Sequence, residues 1–286
     1  YGVATDSQNN VIVTGYSGSN YLTIKYDPNG NPLWSAPVIG PSGIAYDVAV
    51  DSQNNILVTG ANGTVKYGPA GNSIWSETYP GTAYSVAIDA QNNIIVTGIS
   101  SNDFYTVKYD PSGNILWQKT YDSGNTDYSP GVAIDSLNNV IISGYAADPV
   151  NDYASVTVKY SSSGAKLWDV IDNTGGRWSY NVAVDSYNNI FVTGGEYDSY
   201  DYYQYLTVKY DPSGKKVWER LYDFSDYYDD SYDIAIDSKN NIIVTGYIYN
   251  NSQYDYFTIK YQGVPPRSKS LPIAQILKIL KLNKEK

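Results

Sequence analysis

The chain has 286 residues, 32 of them Tyr, a formal net charge of −10, and no Cys, Met or His. Without Cys there is no disulfide or thiolate metal site, and without His the commonest general base and zinc ligand are missing. Residues 264–286 carry six basic residues and one acid, which leaves −15 on residues 1–263. A body so acidic is set against nucleic acid, whose recognition rests on Lys and Arg meeting phosphate. No run of 18 apolar residues offers a transmembrane segment. The missing Met marks a processed product or a fragment, and no secretory signal is visible.

From its first residues the chain repeats itself. The segments VATDSQNNVIVTG, VAVDSQNNILVTG, VAIDAQNNIIVTG, VAIDSLNNVIISG, VAVDSYNNIFVTG and IAIDSKNNIIVTG place an Asp at 6, 51, 89, 135, 185 and 237. Each continues into a second block: TIKYDPNGNPLW, TVKYGPAGNSIW, TVKYDPSGNILW, TVKYSSSGAKLW, TVKYDPSGKKVW, and finally TIKY without a Trp. One unit reads as four strands. Strand a is the V-A-V-D segment, D-S-x-N-N turns into strand b (I-I-V-T-G), a variable loop leads to strand c (L-T-V-K-Y), and D-P-S-G turns into strand d near the Trp. The runs are β-branched and aromatic, bounded by Gly, Pro, Asn and Asp. They lack the i, i+3, i+4, i+7 spacing of a helical solenoid. Four short strands in 40 to 50 residues are the signature of a propeller blade.

The unit A-[IV]-D-x-x-N-N-[IV]-x-V-T-G followed by T-[IV]-K-Y-D-x-x-G-x-x-x-W resembles the SBBP-type β-propeller repeat of prokaryotic, mostly exported proteins. It is more loosely similar to NHL-type blades. The resemblance covers residues 1 to about 263 and implies an all-β, six-bladed propeller on a scaffold that does not fix a function. That family usually has seven blades, and six are counted here. The last blade is incomplete. A strand N-terminal to Tyr1, a three-stranded final sheet, or a partner covering the open edge would each resolve it.

The six copies act as an internal control. A residue present in every copy is most simply needed by the blade. The turn Asp should accept N–H groups of its own turn, with Asn in left-handed positions. Lys25, Lys66, Lys108, Lys159, Lys209 and Lys260 should pair with those carboxylates, because strands a and c run the same way and a buried unpaired Lys is costly. Trp34, Trp75, Trp117, Trp168 and Trp218 read as outer-strand packing residues.

The copies differ in their b–c and d–a connections. Asp148 to Ala154, Glu196 to Tyr205, Asp223 to Asp233 and Tyr247 to Tyr256 are long, irregular and rich in Tyr, Asp, Ser and Asn. Functional residues concentrate on such loops over a rigid scaffold, and Tyr gives contact area at low entropic cost. The candidate ligand-binding residues are Tyr202, Tyr203, Tyr227, Tyr228, Asp229 and Asp230. Arg177 and Trp178 join them; Trp178 is the one Trp outside the repeat, expected in the loop entering the fifth blade.

The expected function is an extracellular or cell-surface binding or adhesion scaffold that takes a glycan or a protein. The alternatives are a structural subunit that oligomerises or polymerises, and a calcium-dependent propeller lyase or lactonase. No catalytic residue, nucleophile elbow, P-loop or dinucleotide fingerprint is found. No cofactor is expected; calcium on Asp, Glu and Asn oxygens is the one metal the composition leaves room for. After the linker VPPRSKS, LPIAQILKILKLNKEK reads as a basic amphipathic helix, with Ile273, Ile276, Leu277 and Leu280 on one face, docking on the acidic body or a neighbouring subunit.

Overall fold

The computed structural model describes residues 1–35, 37–197, 202–224, 228–249 and 253–263, which are all-β and contain no helix. The first sheet is β1 (Gly2–Thr5), β2 (Val11–Ser17), β3 (Asn20–Tyr26) and β4 (Val38–Ser42). The second is β5 (Ala45–Val50), β6 (Ile56–Gly60), β7 (Gly63–Tyr67) and β8 (Ser73–Glu77). The third is β9 (Thr82–Ile88), β10 (Ile94–Ser100), β11 (Asp103–Tyr109) and β12 (Ile115–Tyr121). The fourth is β13 (Asp127–Ile134), β14 (Val140–Asp148), β15 (Asp152–Tyr160) and β16 (Lys166–Asp172). The fifth is β17 (Arg177–Val184), β18 (Ile190–Tyr197), β19 (Tyr203–Tyr210) and β20 (Lys216–Tyr222). The sixth has three strands among the described residues: β21 (Asp230–Ile236), β22 (Ile242–Tyr249) and β23 (Tyr254–Tyr261). Each sheet is therefore one repeat, its strands hydrogen-bonded in chain order. The expected C-terminal helix lies outside the described residues.

Burial explains the strand sequences. The second and third strands are covered on both faces, as in β6 and β7, so they carry unbroken β-branched runs. The outer strand is mostly exposed; in β8 only Trp75 is partly covered. Each fully buried Ile or Val contributes about 1.5–3 kcal/mol.

Two compact units are distinguished, Tyr1–Ile134 with Tyr160–Ala165 and Asp135–Lys159 with Lys166–Lys286. In the first, β5 packs across β1 and β2, β9 across β5 and β6, and β13 across β9 and β10. Its core includes Ile12, Tyr21, Val48, Ile56 and Val58, then Leu57, Val86, Ile94, Val96 and Val107. In the second, β17 packs on β14, and β21 on β17 and β18, over a core of Phe191, Tyr205, Val244, Phe257 and Tyr261.

The D-S-x-N-N turn is held as its sequence predicts. Asp6 Oδ1 accepts the N–H groups of Gln8 and Asn10, each at 2.9 Å, and Oδ2 accepts Asn10 Nδ2 at 2.8 Å. Asn9, Asn54, Asn92, Asn138, Asn188 and Asn240 all have φ near +60°, between 58° and 63°, a conformation Asn tolerates. These Asn also stitch sheets together: Asn54 Oδ1 accepts Ser7 N–H at 3.0 Å, and Asn188 Oδ1 accepts Ser136 N–H at 2.9 Å.

The turn carboxylates pair with strand-c lysines in five of six repeats. Lys25–Asp6 is 2.9 Å, Lys66–Asp51 3.0 Å, Lys108–Asp89 2.7 Å, Lys159–Asp135 2.8 Å and Lys260–Asp237 2.8 Å. Burial raises the Asp6 pKa, but hydrogen bonds from Asn10 and Lys25 outweigh it and bring the carboxyl down to about 2. The sixth pairing, expected for Lys209, is absent. Lys209 stands across from Phe191, the one aromatic where the other repeats have Ile12, Leu57, Ile95, Ile141 and Ile243. Its ammonium lies 5.1 Å from the centre of that ring instead of on Asp185.

Candidate binding face

The stretches expected as long loops in the second unit are largely paired strand. Gly195 pairs with Tyr205, Glu196 with Gln204 and Tyr197 with Tyr203; Tyr247 pairs with Tyr256, Ile248 with Asp255 and Tyr249 with Tyr254. Tyr favours extended backbone and cross-strand aromatic contacts, so Tyr-rich connections extend their hairpins.

Arg177 and Trp178 are not loop residues. Both lie in β17, with 3% and 4% of their surface exposed. Arg177 Nε donates to Glu196 Oε2 at 2.6 Å, and Nη1 donates to Asp172 Oδ2 and Glu219 Oε2, each at 3.0 Å. Lys216 joins this cluster through Asp172 at 3.2 Å and Glu219 at 2.8 Å. Burial alone lowers the Arg177 pKa, but the surrounding carboxylates raise it well above its ordinary value. The guanidinium is committed to tying β17 to β16, β18 and β20.

Trp178 forms the floor of an aromatic cluster. Its ring meets Tyr153, Tyr197 and Tyr203 edge-on at 6.2, 5.1 and 4.9 Å. Tyr203 meets Tyr228 at 4.8 Å, and Tyr228 meets Tyr202 at 5.7 Å. The indole fits because its cross-strand partner is Gly195. The other repeats carry Tyr16, Ala61, Ile99, Tyr145 and Tyr247 there, and a Cβ at this position would overlap the Trp178 ring.

Asp230 is buried beside the floor. Its carboxylate accepts Trp178 Nε1 at 3.2 and 3.3 Å and a hydrogen bond from Tyr180. Burial dominates and pushes its pKa up to about 7. Asp229 is buried too, its oxygens accepting the N–H groups of Phe224 at 2.7 Å and Tyr249 at 3.2 Å. It ties connecting backbone and presents no carboxylate to solvent. Tyr227 lies outside the described residues.

From Tyr180 a second row of rings leads outward. Tyr180 stacks on Tyr232 at 4.8 Å and 17°, Tyr232 meets Tyr247 at 5.7 Å, and Tyr247 meets Tyr254 at 4.9 Å. Tyr247, Tyr254, Asp255 and Tyr256 line an open cleft of about 440 Å³. Tyr254 is 61% and Tyr256 94% exposed. Sequence reasoning missed Tyr180, Tyr232, Tyr254 and Tyr256 as site residues. The signal for Tyr180 and Tyr232 is the Tyr that precedes strand a's apolar core, shared with Tyr46 and Tyr84 in the first unit, where Tyr46 and Tyr84 lie 5.2 Å apart. Among the described residues no group of three or more carboxylates is placed to hold a metal ion, and no helix is long and apolar enough to cross a membrane.

Solved structures resemble the chain in fold. A protein from Lactobacillus plantarum matches at TM-score 0.69 and 11% identity, over 97% of this chain and 83% of that one. The WD40 domain of Toxoplasma gondii coronin matches at TM-score 0.63 and 9% identity, over 91% and 66%. A protein of unknown function from Bacteroides caccae matches at TM-score 0.58 and 12% identity, over 88% and 89%. The fold is β-propeller-like. No protein-family model and no curated protein sequence matches the chain.

Proposed function

We propose that this chain is a non-catalytic binding scaffold of the SBBP propeller type that works at or outside the cell surface and takes a glycan on the tyrosine face of its second unit. The observation that carries this reading is the run of rings from Tyr180 through Tyr232 and Tyr247 to the exposed Tyr254, which with the exposed Tyr256 lines an open cleft. Flat apolar sugar faces stack on such rings, and the Asp255 carboxylate accepts hydroxyl hydrogens beside them. Tyr202, Tyr203 and Tyr228 extend the surface. Trp178 and Asp230 support it from beneath, and Arg177 fixes the strands that carry it.

The test is a glycan array followed by calorimetry on the best sugar. Replacing Tyr254 and Tyr256 together with Ala should abolish the heat of binding, while Lys119→Ala in the first unit leaves it unchanged. Intact binding by the double variant, or an array with no sugar bound above background, sinks the glycan reading.

A further inference from the structure

The connections of the second unit stand apart from the rest of the chain in charge as well as in aromatic content. Residues 148–154, 196–205, 223–233 and 247–256 hold two, three, five and one acidic residues, with no Lys or Arg among them. All 19 Lys and Arg of the chain lie elsewhere. Arg177, at the start of β17, is already matched by Asp172, Glu196 and Glu219. Asp230, buried and raised to about 7, carries only part of its charge near neutrality. The surplus of the other carboxylates keeps the field over the tyrosine face negative.

The cleft repeats this chemistry at close range. Its described walls are Tyr247, Tyr254, Asp255 and Tyr256, three phenol rings and one carboxylate. The register of β22 and β23 sets them: Tyr247 pairs with Tyr256, Ile248 with Asp255 and Tyr249 with Tyr254. Tyr254 meets Tyr247 and Tyr249 edge-on, at 4.9 and 5.0 Å, so its ring is held while its outer side stays open. Asp255 Oδ1 accepts Gln253 Nε2 at 3.1 Å, which steadies the carboxylate beside the rings. A ring face carries negative charge density and draws a cation placed over it, and a carboxylate adds a charge-assisted hydrogen bond. A neutral sugar uses only the stacking. A sugar acid is repelled by Asp255 and by the field behind it. A sugar that bears an ammonium group uses the stacking, the ring faces and the carboxylate together.

We propose that the ligand of this face, on the glycan-binding function proposed above, is a polymer of amino sugars whose amines are free and protonated. Sugar rings lie on Tyr254 and Tyr256, and an ammonium group donates to Asp255. Further ammonium groups along the polymer lie in the negative field of the connections, which speeds encounter. A sugar polymer fits better than a cationic peptide. The cleft offers flat exposed rings and a single carboxylate, and an exposed ion pair without stacking is weak.

Calorimetry of the full chain, at low and at high salt, compares a glucosamine oligomer, the same oligomer fully N-acetylated, a uronic acid oligomer and a lysine peptide of equal charge. The glucosamine oligomer should bind about tenfold tighter than its acetylated form, and the advantage should shrink at high salt as exposed charges are screened. The uronic acid oligomer and the lysine peptide should give no saturable heat. Asp255→Asn should weaken the glucosamine oligomer about threefold and leave the acetylated one unchanged, while Tyr254→Ala with Tyr256→Ala abolishes both. Far-ultraviolet spectra establish that the variants are folded; where one is not, the salt dependence of the unaltered chain decides. Equal affinity for the free and acetylated oligomers, or tighter binding of the acetylated or uronic one, overturns the inference and leaves the glycan reading standing. A lysine peptide that binds as tightly as the glucosamine oligomer, or a double tyrosine variant that still binds that oligomer, reduces the effect to attraction by the acidic body and overturns it as well. Binding of no sugar at all sinks the glycan reading itself and the inference with it.

Discussion

Lys108→Met tests the structural role of the lysine that recurs in every repeat. Lys108 and Asp89 lie 2.7 Å apart, with side chains 3% and 0% exposed. The substitution keeps the aliphatic length and removes the ammonium, with its charge and its hydrogen bond to Ser162 O at 3.2 Å. Asp89 keeps its turn donors, the N–H groups of Gln91 and Asn93 and the Asn93 amide, each at 2.9 Å. It loses its counter-charge. Breaking a buried pair from one side costs about 3–5 kcal/mol, a large share of the roughly 5–15 kcal/mol that holds a folded domain. Lys209→Met is the matched control. Its ammonium has no carboxylate at ion-pair distance, so it loses a cation–π contact of about 0.5–1 kcal/mol and a longer-range attraction to Asp185, and gains relief from the burial that lowers its pKa. The assay is the urea midpoint of each variant at pH 7. Burial raises the Asp89 pKa, but Lys108 and Asn93 hydrogen bonds bring it below the usual range. This stabilisation is present above about pH 4 and is lost as pH falls through the lowered pKa. The gap between the two variants should therefore shrink in acid. Equal losses for Lys108→Met and Lys209→Met at pH 7, or a loss below about 1 kcal/mol for Lys108→Met, would refute the pairing argument.

Gly195→Val should cost about 1–3 kcal/mol through overpacking against Trp178, read as a lower thermal midpoint and a changed near-ultraviolet spectrum; an unchanged midpoint would mean that the indole has room to move. Asp230, at about 7, has a pKa raised above the ordinary Asp value of about 3.9. Its contribution is full below about pH 4 and is lost as pH rises through 7, by about 1.4 kcal/mol per unit at most. Asp230→Asn should flatten the fall in stability between about pH 4.5 and 8, measured as urea midpoints. Asp127, which burial pushes to about 6, adds to the slope, as do Asp103 and Glu196, whose carboxyls burial also raises.

The scaffold was readable because each repeat states the same physics. Asp in D-S-x-N-N and Lys in T-V-K-Y are separated by two strands that run the same way, so their pairing follows from direction and cost alone. What failed were arguments that treated polarity as a sign of loops. Tyr203, Tyr247 and Tyr254 look like loop residues by composition, yet Tyr pairs well across strands, and these positions extend the hairpins. Arg177 looked like a ligand contact because it stands beside Trp178, the one Trp outside the repeat. The residue instead balances the charges of Asp172, Glu196 and Glu219, a juxtaposition that no spacing in the sequence reveals.

The departures from the repeat are coupled, and this bears most on function. Trp178 requires Gly195, since any side chain there would occupy the space of the indole. Phe191 accompanies the loss of the Lys209 ion pair, because its ring holds the ammonium that Asp185 would otherwise take. Both couplings fall in the fifth repeat, whose neighbours keep the common pattern of Lys–Asp pairs at 2.8 Å. The common solution satisfies more donors, because it pairs the strand-c Lys with the turn Asp. The fifth repeat instead gives up one buried ion pair and inserts an indole under a tyrosine surface. Restoring Phe191→Ile should therefore regain the Lys209–Asp185 pair and raise the urea midpoint, while leaving the tyrosine face and its ligand affinity unchanged. A coupled loss of affinity would show that the two sides of the fifth sheet act as one element.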